Sequence, residues 1–174
     1  MTKYIITGGA GFIGSHLVEK LVGKKKRIVV LDNLSTGRIE NINKFKNKIK
    51  LIKCDISKKG DWIKEINGDC FIFHLAALAD IVPSILKPEK YFNSNVTGTL
   101  NVLEACRKAN IKKFIYSASS SCYGLPKIYP TPEDADICPQ YPYALTKRLG
   151  EELVLHWADI YNLPALSLRF FNVY

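Results

Sequence analysis

The stretch Thr7-Gly8-Gly9-Ala10-Gly11-Phe12-Ile13-Gly14 decides how this chain is read. A short apolar run, residues 3–7, leads into it, and an amphipathic run, residues 12–22, leads out of it. The glycines therefore sit where a strand turns into a helix, and that context gives each a physical task. Gly8 permits the tight turn, Gly11 lets the backbone approach a diphosphate, and Gly14 lets the helix pack close to the strand. Free amides and the positive end of the helix dipole then face the anion. The spacing is G-x-x-G-x-x-G instead of the G-x-G-x-x-G of ordinary dehydrogenases.

The second strand, residues 27–32, ends in Asp32, 18 positions after Gly14. A carboxylate there can accept both hydrogen bonds from an adenosine ribose and would repel a 2′-phosphate, so the expected cofactor is NAD and not NADP. Arg38 is the dissenting residue, because a loop arginine could pair with that phosphate; read plainly, it is an exposed loop charge. Asp55, after the third strand, has two readings: a partner for the adenine amine, or a cap on the next turn.

Outward from this motif, β-branched runs alternate with longer amphipathic ones. Residues 3–7, 27–32, 50–54, 70–75, 112–117 and 165–170 read as strands, and residues 12–22, 91–109 and 143–161 as helices. Six strands with interleaved helices predict an α/β fold: one doubly wound parallel sheet in the order 3-2-1-4-5-6, in a single nucleotide-binding domain over residues 1–174. The runs Tyr-Ile-Ile, Ile-Val-Val-Leu and Phe-Ile-Phe do not alternate, which predicts a sheet covered by helices on both faces. Polar and proline-rich loops at 33–38, 79–88 and 119–142 follow strand carboxyl ends, where ligands bind in open α/β sheets.

With 174 residues, 47% hydrophobic and 24% charged, the chain has the make-up of one soluble domain with a sizeable core. It holds no apolar run of membrane-spanning length and no signal-cleavage pattern after its first strand, so it is expected in the cytoplasm, with no membrane partner. Cys54, Cys70, Cys106, Cys122 and Cys138 form no C-x-x-C pair and read as reduced thiols, several of them in buried strands. His16, His74 and His156 show no ligand spacing, and no metal is expected. The net charge of +9 comes from scattered lysines without an aromatic-interleaved basic stripe, which argues for a solvated surface and against a nucleic-acid partner.

A second constellation lies further on. Ser117-Ala118-Ser119-Ser120-Ser121 ends the fifth strand, and Tyr143-x-x-x-Lys147 opens a helix some twenty positions later. Tyr143 and Lys147, four apart, share a helix face. An ammonium near a phenol favours the phenolate, so the pair can supply a base near neutrality, and a serine hydroxyl can donate to a substrate oxygen as it gains charge. These are parts of a hydride-transfer site.

At this point the chain resembles an extended short-chain dehydrogenase/reductase of the NAD-dependent epimerase/dehydratase family, and within it the sugar-nucleotide 4-epimerase branch. The resemblance is carried by TGGAGFIGSHL (7–17), LDNLSTG (31–37), HLAA (74–77), NVTGTLNVLEA (95–105), FIYSASSSCYG (114–124), YALTK (143–147) and RFFNVY (169–174). It implies that Tyr143 is the base, that Lys147 lowers its pKa and binds the nicotinamide ribose, and that Ser119 hydrogen-bonds the substrate hydroxyl with Ser121 assisting. It further implies that Gly8, Gly11, Phe12, Ile13 and Gly14 hold the diphosphate side of NAD. Asp32 and Asn33 would hold the adenosine ribose, Ser35, Thr36 and Gly37 would belong to the cofactor site, and Asp55 and Ile56 would flank adenine. Leu75, Ala76, Ala77, Ser117 and Phe170 would border the cofactor, and Asn172 would touch a UDP-sugar substrate. Asn95 stays open between a structural and a functional role.

The implied reaction inverts C4 of a UDP-hexose: Tyr143 takes the 4-hydroxyl proton while the C4 hydride passes to NAD and returns to the other face. Relatives that dehydrate or decarboxylate nucleotide sugars place acidic residues just after the catalytic hydroxyl; here Ser120 and Ser121 stand there, which favours epimerisation. The remaining alternative is a non-catalytic NAD-binding module. In the family a stretch of comparable size follows, so the resemblance also implies that the substrate-binding lobe is absent from residues 1–174 and that turnover by this chain alone is weak or nil. Family members usually dimerise through helices that include the one carrying Tyr143.

Overall fold

A computed structural model describes residues 2–174. In chain order the elements are β1 (Lys3–Thr7), α1 (Phe12–Gly23), β2 (Arg27–Asp32), α2 (Glu40–Asn43), β3 (Ile49–Lys53) and β4 (Cys70–His74). There follow α3 (Ile81–Leu86), α4 (Pro88–Phe92), α5 (Gly98–Ala109), β5 (Lys113–Ser119), α6 (Pro142–Ile160) and β6 (Ala165–Phe170). The six strands form one sheet in the order β3-β2-β1-β4-β5-β6, every neighbouring pair parallel. This is the expected topology. β1 and β4 are adjacent although 62 residues of chain separate Thr7 from Cys70, so the chain reverses its winding direction between them and opens a crevice at their carboxyl ends.

Three expectations need correction. The helix expected over residues 91–109 is broken into α4, a π-helical turn at Asn93–Thr97, and α5; the apolar period runs on across the turn, which is why the sequence does not mark it. The loop expected over 79–88 contains α3, and the crossover from β3 to β4 is a 3-10 turn, Asp61–Glu65, anchored by buried Trp62. Of the three buried cysteines only Cys70 lies in a strand; Cys106 is in α5 and Cys122 in the 3-10 turn after β5.

The sheet is also not buried evenly. One core packs α5, α6 and Trp62 on one face, through residues such as Ile72, Val102, Phe114 and Val154. A second core packs α1 and α2 on the other face, through Ile6, Val18, Val30 and Ile42, and it reaches from β3 to Phe73 of β4 but not to β5 or β6. β2 is buried on both faces, as its apolar run implies. β5 and β6 alternate instead, leaving Leu166 and Leu168 exposed, because no helix of the described residues covers that face there. α6 can lie directly on β5 because Gly150 faces Tyr116: a Cβ at that position would overlap the Tyr116 hydroxyl.

Candidate active site and cofactor cleft

Two adjoining hollows open at the carboxyl ends of the strands. The first is lined by Gly8, Gly11, Asp32, Asn33, Ser35, Thr36, Gly37, Asp55, Ile56, Leu75, Ala76 and Ala77. The second shares Gly8, Gly11, Thr36, Leu75 and Ala77 with it and adds Phe12, Ile13, Gly14, Ser117, Ser119, Tyr143, Lys147 and Phe170. Ser121 and Asn172 line a third hollow that meets the second at Ser119 and Phe170. Every site residue expected from the sequence faces one continuous groove. Leu78, Ser94 and Phe171 also line it; Phe171 stood within the quoted RFFNVY motif, whereas nothing in the local sequence marks Leu78 or Ser94.

The glycine turn explains the shape of the first hollow. Gly8 has φ +71°, and a Cβ there would lie 2.7 Å from the Ala76 amide nitrogen, so the turn is closed to other residues by conformation and by contact. A Cβ on Gly14 would sit 2.7 Å from Gly9 Cα, which locks α1 onto the turn. Gly11 is different: a Cβ there would meet protein only at Gly8 O, 3.2 Å away, and would otherwise project into the groove. Its bareness keeps space for something outside the chain. Beside it, the first amides of α1 lack helical acceptors, as at any helix start. A dinucleotide's diphosphate fits this cradle, with Gly11, Phe12, Ile13 and Gly14 around it.

Asp32 is 7% exposed and already holds two amides: Ala10 N–H donates to Oδ2 at 2.9 Å and Leu34 N–H to Oδ1 at 2.8 Å. A carboxylate has about four acceptor sites, so two remain for a ribose diol. Asp55 is committed more locally, for Ser57 N–H and Ser57 Oγ–H both donate to its Oδ1, at 3.0 and 2.7 Å. The turn-capping reading of Asp55 therefore holds, and the residue also lines the hollow. Cys54 nearby is inert: burial, with Asp32 and Asp55 adjacent, pushes its thiol up to about 11.

At the other end of the groove, Ser119 caps the 3-10 turn Ser120–Tyr123 by accepting from Ser121 N–H at 3.2 Å, and its hydroxyl pairs with that of Ser121 at 2.7 Å. Burial raises the Tyr143 phenol; the adjacent Ser119 hydroxyl pulls the other way, and Tyr141 and Asp80 add to the rise. Lys147 is 4% exposed, and its Nζ lies over the Tyr116 ring, 4.5 Å from the centroid. Burial draws its pKa down to about 7, against a smaller opposing pull from Glu151. The expected lowering of the phenol by Lys147 is thus not present in the free chain. What the geometry provides is a hydroxyl, a phenol and a lysine able to lose its proton near neutrality, all on one groove.

This end is braced by an ionic network around the buried Glu151 carboxylate. Arg169 Nε donates to both oxygens of Glu151, at 3.0 and 3.1 Å, and Arg148 and Ser167 donate to the same carboxylate at 3.0 and 2.8 Å. Arg169 Nη1 reaches on to the Tyr123 hydroxyl at 2.7 Å and to Glu133 O at 2.8 Å. β6, α6 and the turn after β5 are fixed together just beneath Ser119 and Phe170. Among the described residues no group of His, Cys, Asp and Glu could hold a metal ion, and no helix is long and apolar enough to cross a membrane.

Residues 4–174 match the sequence profile of the NAD dependent epimerase/dehydratase family. The chain is 38% identical over 173 residues to a putative UDP-glucose 4-epimerase of Methanocaldococcus jannaschii, covering 98% of this chain and 55% of that one. Among solved structures, it resembles a UDP-N-acetylglucosamine 4-epimerase from Methanobrevibacter ruminantium in complex with UDP-N-acetylmuramic acid, at 36% identity and a TM-score of 0.91, covering 99% of this chain and 55% of the other. It resembles equally a Thermus thermophilus UDP-glucose 4-epimerase in complex with NAD, at 33% identity and a TM-score of 0.89, covering 99% and 56%. The chain spans about half the length of the relatives it matches.

Proposed function

Because this chain belongs to the NAD dependent epimerase/dehydratase family, we propose that it carries the cofactor cleft and the proton-transfer groups of a UDP-sugar 4-epimerase. The observation that carries this reading is the meeting of Ser119, Tyr143 and Lys147 on the same groove as the glycine turn and Asp32. In it, Asp32 and Asn33 take the adenosine ribose, Gly11 to Gly14 the diphosphate, Asp55 and Ile56 the adenine edge, and Lys147 the nicotinamide ribose. NAD, when bound, accepts a hydride from C4 of the sugar and gives it back.

The chain's own residues handle the proton. Tyr143 Oη takes it from the sugar 4-hydroxyl, and Ser119 Oγ steadies the oxygen left behind with its own proton, which is free for this when Ser121 Oγ donates across the 2.7 Å contact between the two hydroxyls. Lys147 must be protonated to lower the phenol. Burial works against that, and Glu151, one helical turn further along α6, offsets it in part. Asn172, beside Ser121 in the third hollow, is placed to meet the sugar nucleotide. The absence of an acid at Ser120 and Ser121 favours epimerisation over dehydration or decarboxylation.

The same reading puts the protein in the cytoplasm, which suits its free thiols. It also makes it a homodimer, through an apolar patch of Val82, Ile85 and Leu86 on α3, Phe92 on α4 and Leu145 on α6, all exposed. The test of function is to titrate NAD into the chain by calorimetry and to follow C4 inversion of UDP-galactose and UDP-N-acetylglucosamine. Micromolar binding of NAD is expected, and failure to bind it sinks the proposal; sedimentation velocity checks the dimer.

A further inference from the structure

Four buried polar side chains take no part in the proton transfer described above: Thr7 at the end of β1, His74 at the end of β4, Asn95 in the π-helical turn and Thr99 in α5. Each is at most 1% exposed. They form a chain of hydrogen bonds with both ends on one short segment. Ala76 N–H donates to Thr7 Oγ1 at 3.1 Å, and Thr7 Oγ1 lies 2.7 Å from His74 Nδ1. His74 Nε2 lies 2.9 Å from Thr99 Oγ1, whose proton goes to Asn95 O at 2.6 Å. The Asn95 side chain then closes the circuit, accepting from Leu78 N–H at 2.8 Å and donating to Leu78 O at 3.0 Å.

The direction of each bond follows from counting protons. A carbonyl can only accept, so Thr99 spends its single hydroxyl proton on Asn95 O and must accept from His74. His74 therefore carries its proton on Nε2. Nδ1 is then an acceptor and takes the hydroxyl proton of Thr7, whose oxygen in turn accepts from Ala76 N–H. The opposite tautomer would set two acceptors against each other at Nε2 and Thr99 Oγ1 and leave the Thr7 proton without this partner. The ring stays neutral at physiological pH: burial, with Lys147 facing it from α6, holds its pKa down to about 3, and its other titratable neighbour, Tyr116 of β5, is stacked on it.

Ala77, between the two ends of this circuit, lines both hollows of the groove, and Ala76 already stands within 2.7 Å of where a Cβ on Gly8 would be. A shift of a few tenths of an ångström in this segment changes the width of the cleft. We propose that His74, held as its Nε2–H tautomer, is a positioning residue that fixes Ala76, Ala77 and Leu78 as the wall of the cofactor cleft. The assignment of that wall to the cofactor rests on the function proposed above; the positioning itself does not.

Nitrogen-15 NMR of the full chain at pH 7 should show His74 protonated at Nε2. Thr99→Val, which does not touch Ala76, should speed hydrogen exchange of the Ala76 amide by about tenfold while leaving the Ile5 amide of β1 unchanged, and Thr99→Ser should restore the wild-type rate. NAD affinity should fall about tenfold in Thr99→Val and in Thr7→Val, and no further in the double variant, because one circuit is broken once. An Nδ1–H tautomer overturns the proposal. So does an unchanged Ala76 rate, an equal acceleration at Ile5, or additive losses of NAD affinity. If the wild-type chain binds no NAD, the cofactor reading fails, and the tautomer and exchange results still decide for or against the positioning role.

Discussion

Asp32 at the end of β2 and Lys147 in α6 are both buried charged groups facing one groove, and they are held in opposite ways. Asp32 is met by two backbone amides, from Ala10 and Leu34, which fix the position of its side chain. Lys147 is met by the face of the Tyr116 ring and is drawn toward its neutral form by burial. The β1–β3 side of the cleft is thus a shape set by backbone in one state. The β5–β6 side is a place where a proton can move, held in position by the charges of Glu151 and Arg169 below it. Binding should depend on the first region and chemistry on the second.

The largest effect that could break this division is at Tyr143. In a polypeptide that includes this chain and turns over a UDP-sugar, Tyr143→Phe should cut the rate by about 10³-fold, or ~4 kcal/mol, the range of a lost general base. Its NAD affinity should stay within about twofold. If NAD affinity fell in step with the rate, the two regions would not be separable. Next is Arg169→Leu, which leaves the buried Glu151 carboxylate with only Arg148 and Ser167. Removing one partner of a buried ion pair costs about 3–5 kcal/mol, and because Arg148 remains the expectation is about 3 kcal/mol in urea unfolding. A change under about 1 kcal/mol would mean that the network does not brace the catalytic end.

The division also governs what the sequence discloses. The shape-bearing side is largely local: Gly14 and Asp32 act on neighbours within one strand-turn-helix unit and the next strand, and the positive φ of Gly8 belongs to the same turn, so their spacing can be read directly, whereas the approach of Ala76 to Gly8 cannot. Tyr143 and Lys147 are legible as a pair for the same reason. The bracing partners are not, since Glu151 and Arg169 are 18 positions apart and Arg169 and Tyr123 are 46 apart. Nor does a strand's own sequence announce whether a helix covers it: β6, Ala-Leu-Ser-Leu-Arg-Phe, turns two leucines, Leu166 and Leu168, to an exposed face. The π-helical turn hides in an unbroken apolar period, and the Thr7–His74–Thr99 circuit joins residues with unremarkable surroundings. The sequence also places Lys147 beside the right groove but misses its low pKa, because burial of the ammonium is a tertiary property.

A third test sharpens the proton-moving side. With its pKa lowered from 10.5 to about 7 on folding, Lys147 binds fewer protons in the native than in the unfolded chain between those values. Stability should therefore rise with pH in that window and be lost as pH falls toward 7. Between pH 7 and 8.5 the gain from this group is about 1.5 kcal/mol, taking ~1.4 kcal/mol per unit and a half-protonated native state at pH 7. Lys147→Met removes it. Because Cys54 and the buried tyrosines titrate with the opposite sign at higher pH, the quantity to compare is the difference between wild type and variant over this interval. Equal pH slopes in the two proteins would return Lys147 to an ordinary lysine.

The smallest effect tests the binding side. Asp32→Asn keeps one side-chain oxygen for either Ala10 N–H or Leu34 N–H, but its amide nitrogen must then face the other backbone donor, so the side chain will turn or the turn will shift. A ribose hydroxyl that had donated to the lost oxygen finds no acceptor there. NAD affinity should fall by about fivefold, or ~1 kcal/mol, in the range of one net hydrogen bond. At saturating NAD the turnover rate should be unchanged, because Asp32 is remote from Ser119, Tyr143 and Lys147 and lines only the first hollow. The variant also removes the negative charge that opposes a 2′-phosphate, so the preference for NAD over NADP should narrow by more than the affinity for NAD falls. A loss of rate at saturation would show that the adenosine end and the reacting end are coupled, and the contrast between Asp32 and Lys147 would then be one of degree.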